Sequence, residues 1–170
     1  MQNINTLHQL LEDDMRKFIV AEKTLQHTIP LWIKLVNSVK LKTILLKYFD
    51  QIKDHVTQMD KYFESEELQF VYNNHKVMAT LVSDSEERIL RCEDFTVKDA
   101  CILSCIQNIN HYKIGCYGTA AAFSNVLGKT NIGLLFHQFE VNEKQIDDRL
   151  SQLAEYEINN QAIMHLPSNK

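Results

Sequence analysis

Glu22, His55, Glu143 and Asp147 are the side chains of this 170-residue chain whose types and placement could hold a hard metal ion. Iron and manganese take carboxylate oxygens together with imidazole nitrogen, and Glu140 stands by as a less favourably placed donor. The same pattern puts a cation among these acids. In QNINHYKIGCYGT (107–119) and the residues around it, Cys101 or Ile102, Cys105 or Ile106, Ile109, Cys116 and Ala120 follow one another by helical steps along one face. Four residues beyond Ile109 that face reaches Lys113. A charge in a buried stripe needs a partner. Either Lys113 neutralises Glu22 and Glu143 inside the protein, or its four-carbon stem carries the ammonium out to the rim.

Helical stripes must position these groups. The first runs from about Asn5 to Asn37 with Leu7, Leu11, Asp14, Phe18, Glu22, Leu25, Ile29, Trp32 and Val36 on one face; Pro30 predicts a kink, or a break and restart. Ser38 can cap a second helix reaching about Glu66, with Leu41, Leu45, Tyr48, Ile52, His55, Met59 and Tyr62 facing inward. A shorter helix is expected near 75–92, burying Met78, Leu81 and Val82. Thr96 with Asp99 reads as a capping box for the next long helix, which ends before Gly128. The last begins near Thr130 and carries Leu135, Phe139, Glu143, Ile146, Leu150 and Leu153; beyond about Asn159 the polar tail is expected to fray.

Amphipathic helices of roughly 30 residues are ~45 Å long and must bury their stripes side by side. The fold class expected is all-α: a ferritin-like antiparallel four-helix bundle with a long crossover containing a short fifth helix. It forms one domain over 1–160, followed by a polar tail over 161–170. At mid-bundle every long helix offers inward polar residues: Glu22 from the first, Gln51 and His55 from the second, Asn110 and Lys113 from the third, Glu143 and Asp147 from the last. Di-iron carboxylate bundles build their site at that depth. His8, His27, His75, His111 and His137 lack inward partners and read as structural or exposed.

Composition narrows the function classes. Four Gly and two Pro argue against a turn-rich β fold, and a net charge of −4 gives no electrostatic reason to expect nucleic acid or an anionic membrane. No secretory pattern opens the chain and no apolar run is long enough to span a bilayer. Cys92, Cys101, Cys105 and Cys116 contain no CxxC pair and read as core thiols of a reducing, cytoplasmic environment. Neither a GxSxG elbow nor a phosphate-cradling Gly loop is present.

The motifs AEKTLQHTIP (21–30), HKVMATL (75–81), HYKIGCYGT (111–119) and EKQIDDRLSQLAE (143–155) together resemble the YciE/YciF group of bacterial ferritin-like proteins, over about residues 7–155. That group is of unknown function and linked to stress responses. The resemblance implies a homodimer and an acidic metal-ligand set in which Glu22 is retained. It also implies that Gln51, Asn110, Lys113 and Asn142 stand where the group has acids. The expectation is therefore a non-catalytic, stress-associated bundle with a degenerate di-iron site, no cofactor, and Lys113 supplying charge in place of metal. Two alternatives remain. One is a mononuclear iron or manganese protein acting on oxygen or peroxide through Glu22, His55, Glu143 and Asp147. The other is a helical protein-interaction module.

Overall fold

Thr6 starts the first helix by accepting the Gln9 amide on its hydroxyl at 3.1 Å. The helices that follow, in a computed structural model describing residues 3–66 and 75–163, are α1 (Leu7–Leu35), α2 (Val39–Ser65), α3 (Lys76–Arg91), α4 (Phe95–Val126) and α5 (Thr130–Leu153). A π-helical turn (Ala154–Ile158) and a short α6 (Asn159–Ile163) close the described chain. No strand occurs among the described residues.

Pro30 lies inside α1 and causes no break and restart. The missing N–H costs one intrahelical bond, but Leu25, Ile29, Trp32 and Ile33 on both sides of it are buried, and that packing holds the helix through. At the other end of the chain, residues 159–163 form the short α6. The rest of the polar tail, 164–170, lies outside the described residues, as does the stretch 67–74 before α3.

The turns show how polar side chains fix the helix ends. Ser38 caps α2 through the Leu41 amide at 3.3 Å, as its position suggests. Thr96 and Asp99 do not form a capping box. Asp94 caps α4 instead, its Oδ1 accepting the Thr96 and Val97 amides at 2.8 and 3.0 Å. Asp94 is the residue in extended backbone one step before the helix, so its side chain alone can reach back to those orphan donors. Asp99, buried one turn into α4, accepts the Asn37 and Ser38 amides at 2.9 and 2.7 Å and so ties the α1–α2 turn to α4. Gly128 adopts φ +70° between α4 and α5, a conformation that a side chain would strain.

Three-residue connections make α1–α2 and α4–α5 antiparallel hairpins. α1 packs on α2 and α4, and α5 on α4 and α2, while α3 lies along α4 and α1 within the crossover. The result is the ferritin-like four-helix bundle with a fifth helix in its long connection. Its core has two apolar parts. One contains Leu25, Ile29, Trp32, Leu45, Ile52, Ile109, Ile146 and Leu150; the other contains Leu11, Phe18, Val56, Met59, Tyr117, Phe136 and Phe139. Along every long helix the change from one part to the other falls at the mid-bundle polar residues. Stripe members Leu81 and Leu135 are only partly buried, with Val82 and Phe136 taking the inner positions beside them. Of the four cysteines only Cys105 is fully buried, so the reading of all four as core thiols is corrected.

Candidate functional site

Between the two apolar parts, Glu22, His55, Asn110, Lys113 and Glu143 are all buried, with Lys113 only 3% exposed. Each helix contributes because its polar residue interrupts an apolar stripe at the same depth. The ammonium stays inside: Lys113 Nζ lies 2.8 Å from Glu22 Oε1 and 2.6 Å from Glu143 Oε1. The tyrosines Tyr48 and Tyr117 complete its surroundings. Nζ donates to the Tyr48 hydroxyl at 3.3 Å and stands 4.9 Å from the centre of that ring.

The carboxylates are bridged by more than the lysine. Tyr117 donates its hydroxyl proton to Glu22 Oε1. His55 Nδ1 lies 3.3 Å from Glu22 Oε1 and 3.6 Å from Glu143 Oε1, and its ring stacks on Phe139 at 3.9 Å. Asn110 Nδ2 donates to Glu143 Oε2 at 2.5 Å, and Asn142 Nδ2 is 3.4 Å from His55 Nε2. Among the described residues, Glu22 Oε2, Asn110 Oδ1 and Gln51 Oε1 are buried acceptors with no hydrogen-bond donor. Gln51 itself is half-buried.

Electrostatics separates the two acids. Burial pushes the Glu22 carboxyl up, but Lys113 and His55 outweigh it and hold the group down at about 2. Burial raises Glu143 further than Lys113 can lower it, with the nearby Glu22 charge adding to the rise. Glu143 is thus the readier of the two to take a proton. Burial would lower Lys113, yet Glu143 and Glu22 together raise it, so the ammonium is held firmly charged. Tyr48 and Tyr117 are both raised by burial next to these acids and stay protonated, Tyr48 accepting from Lys113 and Tyr117 donating to Glu22.

Asp147 does not join this group. It is half-buried one turn along α5, and its Oδ2 meets His111 Nε2 at 2.9 Å. A turn of α5 carries it past the cluster and towards the rim, where the largely exposed His111 can reach it. Glu140 faces Lys144 and His137 at 2.6 and 3.4 Å, also outside. His75 is buried rather than partnerless: its Nδ1 accepts the Met78 amide at 2.9 Å and its Nε2 lies 3.0 Å from the Tyr112 hydroxyl. Tyr117 escaped the sequence reading as a cluster member, although its place four residues after Lys113 on one helix face was available as the signal. Gln51 and Asn110 are expected as inward polar residues at this depth, whereas Asn142 enters only as a position where the resembled group has an acid.

Glu22, His55 and Glu143 each offer one ligand atom within 4.8 Å of the others. These residues do not fit a pair of metal ions, which calls for several more carboxylates than the two present. A single ion would compete with the Lys113 ammonium, which already sits on one oxygen of each acid. Two positive centres so close in a low-dielectric interior repel strongly.

The family model described as Domain of unknown function (DUF892) matches residues 6–163. The chain belongs to this family. The chain is 25% identical to Protein YciF of Escherichia coli (strain K12) over 161 residues, 94% of this chain and 97% of that protein. In fold it is similar to the crystal structure of the E. coli stress protein YciF, with TM-score 0.85 and 23% identity over 92% of this chain and 99% of that one. It is also similar in fold to YcfI from Rhodopseudomonas palustris, with TM-score 0.84 and 24% identity over 88% and 96% of the two chains. These two likenesses in fold agree with the bundle described above.

Proposed function

We propose that this chain is a non-catalytic, stress-associated bundle whose di-iron site has degenerated, with Lys113 supplying the positive charge that metal would otherwise bring. The observation that carries this reading is the ammonium wedged between Glu22 Oε1 and Glu143 Oε1 at 2.8 and 2.6 Å. A buried acid pair without a counter-charge would be strongly destabilising. With Lys113 in place the centre needs no ion for stability, and the neutral amides of Asn110 and Asn142 add hydrogen bonds where carboxylates would add repulsion. The stress association is supported by the description of the E. coli protein YciF, to which this chain is similar, as a stress protein.

A second reading keeps one iron or manganese ion acting on oxygen or peroxide. The three-ligand grouping of Glu22, His55 and Glu143 favours it. It requires Lys113 to swing away from both acids. Metal analysis of protein purified without chelator, then dialysed against ferrous iron or manganese, separates the two. The first reading expects metal far below one ion per chain, in wild type and in Glu143→Ala alike. Near-stoichiometric metal that disappears in Glu143→Ala would overturn it in favour of the second.

A further inference from the structure

A groove opens at one end of the bundle, where the start of α2 lies beside the end of α5 and the π-helical turn. It encloses about 460 Å³, within the roughly 300–1,000 Å³ of small-molecule sites. Val39, Ile44, Leu153 and Tyr156 give it an apolar surface. Leu153 belongs to the core and Ile44 packs against it, whereas Val39 and Tyr156 are largely exposed. The groove is remote from the central cluster, since Leu153 lies about 15 Å along α5 from Glu143 at 1.5 Å per residue.

Three charged side chains flank the apolar surface: Lys40, Arg149 and Glu157. Lys40 Nζ donates to Glu157 Oε2, so these two charges offset each other. No hydrogen bond or ion pair with a described residue engages the exposed Arg149 guanidinium. One positive charge is thus left over here, on a chain whose net charge is −4. The wall that carries Tyr156 and Glu157 is itself irregular. Over Ala154–Ile158 the helix widens to a π turn, in which the Asn159 N–H reaches the Ala154 carbonyl. Such turns are rare and occur frequently at functional sites.

We propose that this groove binds one amphipathic monocarboxylate of the medium-chain fatty-acid class, with its carboxylate on Arg149 and its hydrocarbon chain against Leu153, Ile44, Val39 and Tyr156. A guanidinium offers two parallel N–H donors that match the two oxygens of a carboxylate. The apolar surface beside it covers a hydrocarbon chain, which a bare anion such as acetate does not possess. Charge limits the class further. With Lys40 held by Glu157, the site neutralises a single negative charge, and a polyphosphate or dicarboxylate would bring its second charge towards Glu157. The site works independently of the central cluster and of any metal there.

The test titrates the full chain with octanoate below its micelle concentration and follows the backbone amide shifts by NMR. Saturable shifts at residues 39–44 and 149–157 are expected, with one octanoate per chain. Octanol keeps the hydrocarbon chain and lacks the carboxylate, and acetate does the reverse; each should bind roughly tenfold more weakly or worse. Arg149→Gln should weaken octanoate roughly tenfold and leave octanol unchanged, whereas Tyr156→Ala should weaken both. Both residues are exposed, so neither change disturbs the core. The wild-type comparison of octanoate with octanol decides the matter even if a variant fails to fold. No saturable shifts in the groove, shifts centred elsewhere, or equal affinity for octanoate and octanol would overturn the proposal. Shifts at the same residues on concentrating the protein alone would assign the groove to a second copy of the chain and overturn it as well.

Discussion

Lys113 Nζ lies 2.6 Å from Glu143 Oε1, and both side chains are withdrawn from solvent. At that separation inside a bundle the two charges depend on one another, because either left alone would be an unpaired buried ion. Lys113→Met should therefore destabilise the protein by about 3–5 kcal/mol. Adding Glu143→Gln to that variant should recover part of the loss, since one orphaned acid is then removed. Urea unfolding of the two single variants, the double variant and wild type measures the coupling. A Lys113→Met cost no larger than that of an ordinary surface change would contradict the pairing.

Tyr117 gives Glu22 a second donor while its ring packs among Phe18, Phe136 and Phe139. Tyr117→Phe keeps those ring contacts and removes only the hydroxyl. The loss expected is about 1.5–3 kcal/mol, the usual range for a hydrogen bond to a charged group. Guanidinium unfolding checks it. Phe18→Ala is the useful contrast, because it removes packing and leaves the acid's donors alone.

His75 makes the start of α3 sensitive to acid. Its Nδ1 accepts the Met78 amide, so Nε2 carries the proton and faces the Tyr112 hydroxyl. A doubly protonated ring cannot accept that amide. Burial lowers the His75 pKa below its ordinary 6.5 in the folded protein. The unfolded chain thus binds the proton more readily, so the stabilisation is complete above 6.5 and is lost as pH falls through the lower folded value. Melting temperatures of wild type should therefore drop as the pH falls below 6.5. His75→Asn, which keeps a capping acceptor that does not titrate, should flatten that part of the profile.

Asp99 holds two backbone amides of the α1–α2 turn through its two carboxylate oxygens. Asp99→Ala leaves the Asn37 and Ser38 N–H groups without this acceptor. A loss of about 2–3 kcal/mol is expected, with Asp99→Asn retaining part of it through one oxygen. Amide exchange at Asn37 and Ser38 should quicken in Asp99→Ala if the clamp acts as described; unchanged exchange there would argue against it.

The sequence by itself determined the helices and their inward faces, because a stripe recurring every three to four residues survives whatever the helix packs against. Leu11, Phe18, Glu22, Leu25, Leu45, His55, Phe139, Glu143 and Ile146 were all legible as inner positions on that ground, and all are buried. The turn at Gly128 and the cap at Ser38 were equally plain, since each rests on local chemistry. Only the tertiary structure decided which polar groups meet. Helical spacing places a residue on a face to within a wide arc, and a side chain as long as lysine can leave that arc for the rim. The choice between burial and escape for Lys113 was settled by four helices arriving at one depth, with Glu22 and Glu143 on either side of its ammonium. The same limit explains Asp147, which shares the helix face of Glu143 but sits one turn beyond the cluster, against His111. It explains Asp99 too: its partners are more than sixty residues away in the chain, and no local pattern reports a contact at that distance.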